Sequence, residues 1–288
     1  GGDIRAARYL HSSLHAVTVS SFIYAEPPES VAKMLGQKPT HELWLAMEMV
    51  EGKTLDQVKH EVFDLPIDGF EKTGFKLHLL YLLLVDLEYI HSRGVAHLDL
   101  TPRNIMCGMR GSRASVRLID FGSARLAAAI GGETLYVSTC STIPMTLAYA
   151  APEMIQAAVS AVGADEVKLT PAIDVYAFGL IAIELLSGQM PAAFVSMSSY
   201  QKESMLRAVP GVPAALVPLL VSAVAHSPIE RPTAQKLCAA LKQELVCAVL
   251  GQASVSTIGV GSVPGWAARL LGAEVRRLSL CVCCMTCS

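Results

Sequence analysis

The residues best suited to chemistry lie in two short stretches near the middle of the chain. The first is 97–104, HLDLTPRN, which carries Asp99 and Asn104. The second is 118–122, LIDFG, which carries Asp120. A carboxylate can accept a proton from a hydroxyl, and carboxylate and amide oxygens are ligands that Mg²⁺ prefers. The alternative is that these three residues are turn residues that cap strands.

Three further motifs follow along the chain. They are Ala151-Pro152-Glu153, the DVYAFG segment 174–179 and the ERPT segment 230–233. Together with HLDLTPRN and LIDFG, in this order and at these spacings, they resemble the eukaryotic protein kinase family, of the Ser/Thr type. The resemblance runs from about residue 3 to about residue 248. The run 89–126 looks especially like the myosin light-chain kinase branch of that family.

The resemblance implies an α+β fold: a protein-kinase-like two-lobed fold with a truncated β-rich N-lobe and a mainly α-helical C-lobe. Residues 1–50 would form a partial N-lobe with the end of its αC helix, its last strands and the hinge. Residues 51–250 would form the C-lobe, and residues 251–288 a tail with a Cys-rich end. ATP would bind in the cleft between the lobes.

The resemblance also implies an activity, transfer of the γ-phosphoryl group of ATP to Ser or Thr hydroxyls of protein substrates. This reaction needs positioning, metal ions and charge stabilisation more than covalent chemistry from the protein. Asp99 would accept or orient the proton of the substrate hydroxyl. Asn104 and Asp120 would hold Mg²⁺ at the nucleotide phosphates.

Other residues are assigned to the nucleotide by the same resemblance. The segment 43–52 resembles the last N-lobe strand and the hinge. Met47 would then be the gatekeeper, and the backbone groups of Glu48 and Val50 would bond adenine. Met106 would form the apolar floor under the base. The alternative for both methionines is plain filling of the core.

Two scaffolding contacts are expected in the C-lobe on the same grounds. Glu153 and Arg231 would form a buried ion pair that holds the lobe together. Asp174 would accept backbone N–H bonds from His97 and Leu98 and so fix the shape of the catalytic loop.

The catalytic loop departs from the family pattern at two positions. Leu98 replaces an Arg that meets an activation-loop phosphate, so phosphorylation is not expected to order this loop. Thr101 replaces a Lys that touches the γ-phosphate. Arg103 is the candidate to reach that phosphate, and the alternative is an ordinary surface arginine. Thr146 matches the Thr that Ser/Thr kinases place against the catalytic Asp, which favours Ser or Thr as the acceptor.

The largest departure concerns the first strands of the N-lobe. Only 46 residues precede Met47, and we expect them to lack the Gly-rich phosphate loop and the strand-three Lys. Val31-Ala32-Lys33 lies too close to Met47 to be that Lys motif. Asp3 fits the place of the αC acidic residue. The alternative function is therefore a pseudokinase or truncated kinase fragment that acts as a nucleotide- or protein-binding module.

Composition excludes several other classes of protein. Lys plus Arg total 23 against 25 for Asp plus Glu, a net charge of −2. This balance does not favour nucleic acid as a partner. The longest apolar run, 79–85, is far too short to span a membrane. With no targeting pattern visible, cytoplasmic is the default localisation.

The cysteines fall into two groups. Cys107, Cys140, Cys238 and Cys247 are scattered, as reduced core residues usually are. Four more crowd the last eight residues. They could bind metal or carry acyl chains, but we expect a disordered or incidental tail, because the spacing is not that of a zinc site.

Hydrophobic periodicity predicts the elements that must position these residues. Strands are expected over 17–25 and 43–50 and near 105–107 and 116–119. A helix end is expected within 3–15. Further helices are expected over 54–63, 75–92, 173–187, 199–208, 213–225 and 233–248.

Overall fold

The structure is a computed structural model of the chain. It describes residues 19–25, 42–47, 49–64, 69–110, 113–126, 135–137, 145–160, 167–189 and 191–252. Several expectations lie outside these residues: the helix end within 3–15, Asp3, the motif at 31–33, Glu48, Cys140 and the tail beyond Gln252.

The described strands pair into small antiparallel sheets. In chain order they are β1 (Val19–Ala25), β2 (Glu42–Met47), β3 (Lys53–Thr54), β4 (Val95–Ala96), β5 (Ile105–Arg110), β6 (Arg113–Leu118), β7 (Arg125–Leu126), β8 (Leu135–Val137) and β9 (Val167–Leu169). Strand β1 pairs with β2, β4 with β7, and β8 with β9. Strand β5 lies between β3 and β6 in a three-stranded sheet.

Helices make up most of the described chain after residue 54. They are α1 (Leu55–Phe63), α2 (Gly69–Ser92), α3 (Pro152–Ser160), α4 (Ala172–Ser187), α5 (Pro191–Val195), α6 (Ser199–Ala208), α7 (Leu216–Ala223) and α8 (Ala234–Gln252). Short 3₁₀ turns cover Pro102–Asn104, Phe121–Ser123, Leu147–Tyr149 and Pro228–Glu230.

Two long helices form the centre of the core. Every residue of α4 from Ile173 to Leu186 is buried, and no residue of α2 between Phe75 and His91 is exposed. Helix α2 is therefore covered by protein on most of its sides between these two residues. Gly94 ends the α2 region with a φ of 69°, and Gly188 caps α4 with a φ of 77°. Both glycines have the left-handed conformation expected after a helix.

Several predicted boundaries are wrong; among them, the helix predicted to end at residue 248 runs to Gln252. The strand predicted over 43–50 ends at Met47, because the chain must turn at Gly52 to bring β3 onto β5. The helix predicted from residue 213 begins at Leu216; Pro218 has no N–H and fits only within the first helical turn. The helix predicted to begin at residue 75 begins at Gly69.

The turn at Gly52 places the end of the expected hinge against the sheet. A Cβ on Gly52 would lie 2.3 Å from the carbonyl oxygen of Cys107, and one on Gly108 would lie 2.3 Å from that of Glu51. Only glycine allows two backbones to approach this closely. Strand β5, which carries Met106, is thereby fixed beside the segment that follows the hinge.

No helix among the described residues is both long and apolar enough to cross a membrane.

Candidate active site

One buried carboxylate, that of Asp174, holds the loop between β4 and β5. Asp174, near the start of α4, is fully buried and accepts the backbone N–H groups of His97 and Leu98, each at 2.8 Å. This confirms the contact expected for Asp174. His91 Nε2 lies 2.8 Å from the same carboxylate, a contact that the sequence motifs do not indicate.

The environment of Asp174 keeps it charged. Burial alone would raise its pKa, but the hydrogen bond and charge of His91 and the backbone N–H of His97 outweigh burial and hold the pKa below its ordinary value. The charged carboxylate stabilises an unfavourable backbone, because Leu98 has a φ of 63°. A left-handed conformation costs roughly 1–2 kcal/mol for a residue with a Cβ.

Asp99 lies at the centre of the loop's polar contacts. Its Oδ1 accepts the backbone N–H of Thr146 at 3.1 Å and the hydroxyl of Thr146 at 3.0 Å. Asn104 Nδ2 donates to the Asp99 backbone oxygen at 2.9 Å and lies 3.4 Å from Oδ2. The structure therefore brings together Asp99, Asn104 and Thr146. It also leaves Oδ2 as the less occupied oxygen of the carboxylate.

Two contacts tie the Asp120 segment to this loop. Ile119 donates its N–H to the backbone oxygen of Asn104 at 2.9 Å, and His97 Nε2 lies 3.0 Å from the Ile119 oxygen. The His97 ring also packs on Phe121 at 5.0 Å between centroids. Asp120 is exposed, has a φ of 58°, and accepts the Gly122 N–H at 3.1 Å.

The donor set at this place fits Mg²⁺. Because Asn104 Nδ2 donates to Asp99, its amide oxygen is the atom left to bind a cation. The Asp120 carboxylate is exposed on the adjoining segment. Mg²⁺ is usually bound by one or two carboxylates together with substrate phosphates, rather than by a cage of protein ligands. The described residues contain no cluster of three or more His, Cys, Asp or Glu that could hold a metal.

The candidate nucleotide residues lie on either side of the Gly52 turn. Met47 is the last residue of β2, opposite Val19. Val50 is partly buried two residues before Gly52. Met106 is partly buried in β5, between Thr54 and Arg117. Their contacts with adenine stay predictions.

A bidentate ion pair links the start of α3 to the segment that precedes α8. Arg231 donates to the two oxygens of Glu153 at 2.6 and 2.7 Å, and also to the backbone oxygens of Ala225, His226 and Ala172. The Arg231 side chain is fully buried. The expected pair is confirmed, and the five bonds match the five N–H donors of the guanidinium.

Comparison with known proteins agrees with this geometry. The model of the family described as "Protein kinase domain" matches residues 21–241, more than half of the 288 residues. The chain belongs to the protein kinase domain family. Members of this family use ATP and Mg²⁺ in general. The α+β two-lobed kinase fold expected from the motifs is thereby confirmed.

Curated relatives of the kinase domain are named Ser/Thr kinases. The Serine/threonine-protein kinase pkn2 of Myxococcus xanthus is 31% identical over 196 residues, 65% of this chain and 21% of the relative. The Probable serine/threonine-protein kinase PknB of Lactococcus lactis is 28% identical over 63% of this chain and 26% of the relative. The Serine/threonine-protein kinase grp of Drosophila melanogaster is 35% identical over 38% of this chain and 18% of the relative.

The kinase domain spans only about a fifth to a quarter of the length of these relatives. None of the three is named a myosin light-chain kinase, and that narrower resemblance stays a prediction. The division at residue 50 also stays a prediction, since the matched region runs across it.

Sequence motifs missed several side chains that surround the site. Arg103 is 83% exposed and lies 3.5 Å from Asp56 of α1. Asp56 in turn contacts Lys59, and Lys59 contacts Glu184 of α4. Asp56, Lys59 and Glu184 belong to no motif, so only the fold could bring them to the motif residue Arg103. Thr101 is buried, and its backbone oxygen accepts the Asn104 N–H at 3.0 Å.

Proposed function

We propose that this kinase domain transfers the γ-phosphoryl group of ATP to Ser or Thr hydroxyls of proteins. The observation that carries the proposal is the contact of Thr146 with Asp99. It occupies one carboxylate oxygen and leaves Oδ2 for a substrate hydroxyl. A module that only bound nucleotide or protein would not need this arrangement, so the pseudokinase alternative is not favoured.

In the proposed transfer, Asp99 receives the proton of the substrate hydroxyl. The substrate hydroxyl donates its hydrogen bond to Oδ2, and its oxygen attacks the γ-phosphorus of ATP. A new P–O bond forms, the bond from the γ-phosphorus to the β–γ bridging oxygen breaks, and ADP leaves. The hydroxyl proton passes to Oδ2. Asn104 holds Asp99 by its backbone oxygen, so the carboxylate keeps its orientation through the reaction.

Asn104 and Asp120 would hold Mg²⁺, which neutralises charge on the nucleotide phosphates when bound. Arg103 is the candidate to reach the transferred phosphate. Its side chain is mostly in solvent, one residue from Asn104, and its planar fork suits a phosphate group. Met47, Glu48, Val50 and Met106 are the candidates to hold adenine. Protein substrate, ATP and Mg²⁺ are therefore the proposed partners of the site.

Two variants separate binding from chemistry. Asp120→Ala should lose Mg²⁺-dependent ATP binding, measured by calorimetry with and without Mg²⁺. Asp99→Asn should keep that binding and lose phosphoryl transfer by a factor on the order of 10²–10⁴, the range of a general base. Equal Mg²⁺-dependent binding by wild type and Asp120→Ala would count against the metal site. Full transfer by Asp99→Asn would overturn the assigned role of Asp99.

A further inference from the structure

A buried carboxylate joins the active-site turn to helix α1. Glu184 of α4 accepts the hydroxyl of Tyr149 at 2.6 Å on Oε2 and the ammonium of Lys59 at 2.8 Å on Oε1. The Glu184 side chain is 5% exposed and that of Lys59 is 11% exposed. Each oxygen of the Glu184 carboxylate therefore accepts one hydrogen bond, one from the turn that holds Tyr149 and one from helix α1.

Tyr149 belongs to the turn that begins at Thr146. Its backbone N–H donates to the Thr146 oxygen at 2.9 Å, so the tyrosine and Thr146 form one compact turn. Thr146 holds Asp99 as described above. In the same turn Leu147 is 71% exposed, beside the place where the substrate hydroxyl must arrive. A peptide substrate would meet this turn.

The contacts continue on the other side of Lys59. Its ammonium lies 2.8 Å from Asp56 Oδ1, and Asp56 Oδ2 lies 3.5 Å from the guanidinium of Arg103. Arg103 is joined through the backbone to Asn104, which bonds Asp99. These polar contacts, together with the backbone of the turn 146–149 and the peptide bond between Arg103 and Asn104, form a ring of linked residues that starts and ends at Asp99. Lys59 is the member of the ring that bonds two carboxylates.

The electrostatics of the ring favour a charged Lys59. Burial alone would lower its pKa, but the hydrogen bonds and charges of Asp56 and Glu184 outweigh burial and raise the pKa. Lys59 in turn lowers the pKa of Asp56. Burial and the neighbouring Glu184 raise the pKa of Tyr149, so its hydroxyl keeps the proton that it donates. These shifts keep Lys59 and Asp56 charged and Tyr149 protonated at neutral pH.

We propose that Lys59 is a positioning residue for protein substrates: through Glu184 and Tyr149 it fixes the turn 146–149 against Asp99. The inference rests on the proposed function, because the turn matters only if a peptide hydroxyl must be placed at Asp99. It assigns to α1 a role on the peptide side of the site. The candidate adenine residues Val50 and Met106 are not members of the ring.

Hydrogen exchange tests the positioning independently of activity. In the full-length protein, Lys59→Met and Tyr149→Phe should speed amide exchange in peptides that cover 146–150. The matched control is Lys53→Met, because Lys53 pairs with Glu61 at the surface and does not contact Glu184. Tyr149→Phe removes one hydroxyl only, so it keeps the test valid if Lys59→Met unfolds the protein.

Kinetics distinguish positioning from general stability. Lys59→Met and Tyr149→Phe should each lower kcat/KM for a peptide substrate on the order of 10- to 100-fold, the range for a misplaced reacting group. The KM for ATP should not change in Tyr149→Phe, because that variant leaves the contacts of Asp56, Arg103 and Asn104 in place. Lys59→Arg should restore most of the loss, because a guanidinium can still bond both carboxylates. The double variant should be no worse than the poorer single variant, since both changes act through Glu184.

The outcomes separate this inference from the proposed function. Unchanged exchange at 146–150 in both variants, or a rise in KM for ATP in Tyr149→Phe equal to the loss for peptide, overturns the role of Lys59 while leaving the kinase activity standing. Additive losses overturn it as well. An inactive wild-type protein overturns the proposed function, and with it the role in substrate placement.

Discussion

Thr146 places two donors on a single oxygen of Asp99, its hydroxyl at 3.0 Å and its backbone N–H at 3.1 Å. The two residues are 47 positions apart in the chain. The contact holds the carboxylate in place, and under the proposed function its second oxygen is left for a substrate hydroxyl. Each donor to a charged acceptor of this kind contributes roughly 1.5–3 kcal/mol.

The hydroxyl of Thr146 is therefore expected to matter for turnover. Thr146→Val removes the hydroxyl and keeps the size of the side chain, so kcat should fall about tenfold or more because one hydrogen bond to Asp99 is lost. Thr146→Ser keeps the hydroxyl and should stay close to wild type. Steady-state kinetics with a peptide substrate measure both. If the Val variant has the kcat of the Ser variant, the contact does not orient Asp99.

The ion pair of Arg231 with Glu153 should dominate the stability of the helical region. Arg231→Ala leaves a carboxylate without its partner, and removing one member of a buried pair typically costs about 3–5 kcal/mol. Urea unfolding measures this loss. Arg207→Ala is the matched control, because Arg207 lies 3.5 Å from Glu203 with both side chains exposed. That pair should contribute less than about 1 kcal/mol, and similar losses for the two variants would contradict the account.

Lys76 should make stability depend on pH. Its side chain is buried, and burial together with the charge of Lys72 lowers its pKa to about 8, against about 10.4 in an unfolded chain. Between these values the unfolded state binds more protons than the folded state. The free energy of unfolding should therefore rise by about 1–2 kcal/mol as the pH rises from about 8 to about 10.

The Lys76→Met variant should lack that rise, because the titrating group is gone. Urea unfolding at several pH values, compared between wild type and variant, cancels the other groups that titrate. Lys236→Met is the control, since Lys236 is exposed, and it should keep the wild-type slope. An equal slope in wild type and Lys76→Met would show that the lysine titrates alike in both states.

Phosphorylation of the segment before Thr146 should not be needed for activity. Leu98 is 3% exposed and lines one small cavity with Met145 and Met154. An apolar side chain therefore lies at the position of the arginine that would bind an activation-loop phosphate. We expect no large loss of kcat when all hydroxyl residues of the segment are replaced by Ala. They are Thr134, Tyr136, Ser138, Thr139, Ser141 and Thr142. This expectation is wrong if the variant shows a large loss of kcat and phosphatase treatment of the wild-type protein causes the same loss.

The sequence predicted the parts of the site that lie within short motifs. Asp99 and Asn104 are five residues apart, so local geometry alone keeps them close. The contacts of Asp174 and of Glu153 with Arg231 were also predicted, because each residue lies in a motif whose role is implied by the family. Helix α6 was predicted to the residue, and the structure adds that Ser198 and Gln201 form a capping box at its start.

The ring through Lys59 could not be predicted from sequence. Lys59 and Glu184 are 125 positions apart, and a lysine on an amphipathic helix usually faces solvent. Only the fold brings the ammonium of Lys59 to the Glu184 carboxylate, at 2.8 Å. The boundaries at Met47 and Leu216 were wrong for a related reason, because they depend on where the chain must turn to pack and not on hydrophobic periodicity.

The central claim is best tested by phosphoryl transfer itself. The full-length protein is incubated with ATP labelled at the γ-phosphate, Mg²⁺ and a mixed protein substrate, and the phosphorylated amino acids are identified for wild type and Asp99→Asn. We predict label on Ser and Thr with wild type, and a loss on the order of 10²–10⁴ with Asp99→Asn. Equal labelling by both proteins, label on Tyr alone, or no transfer by wild type would contradict the account.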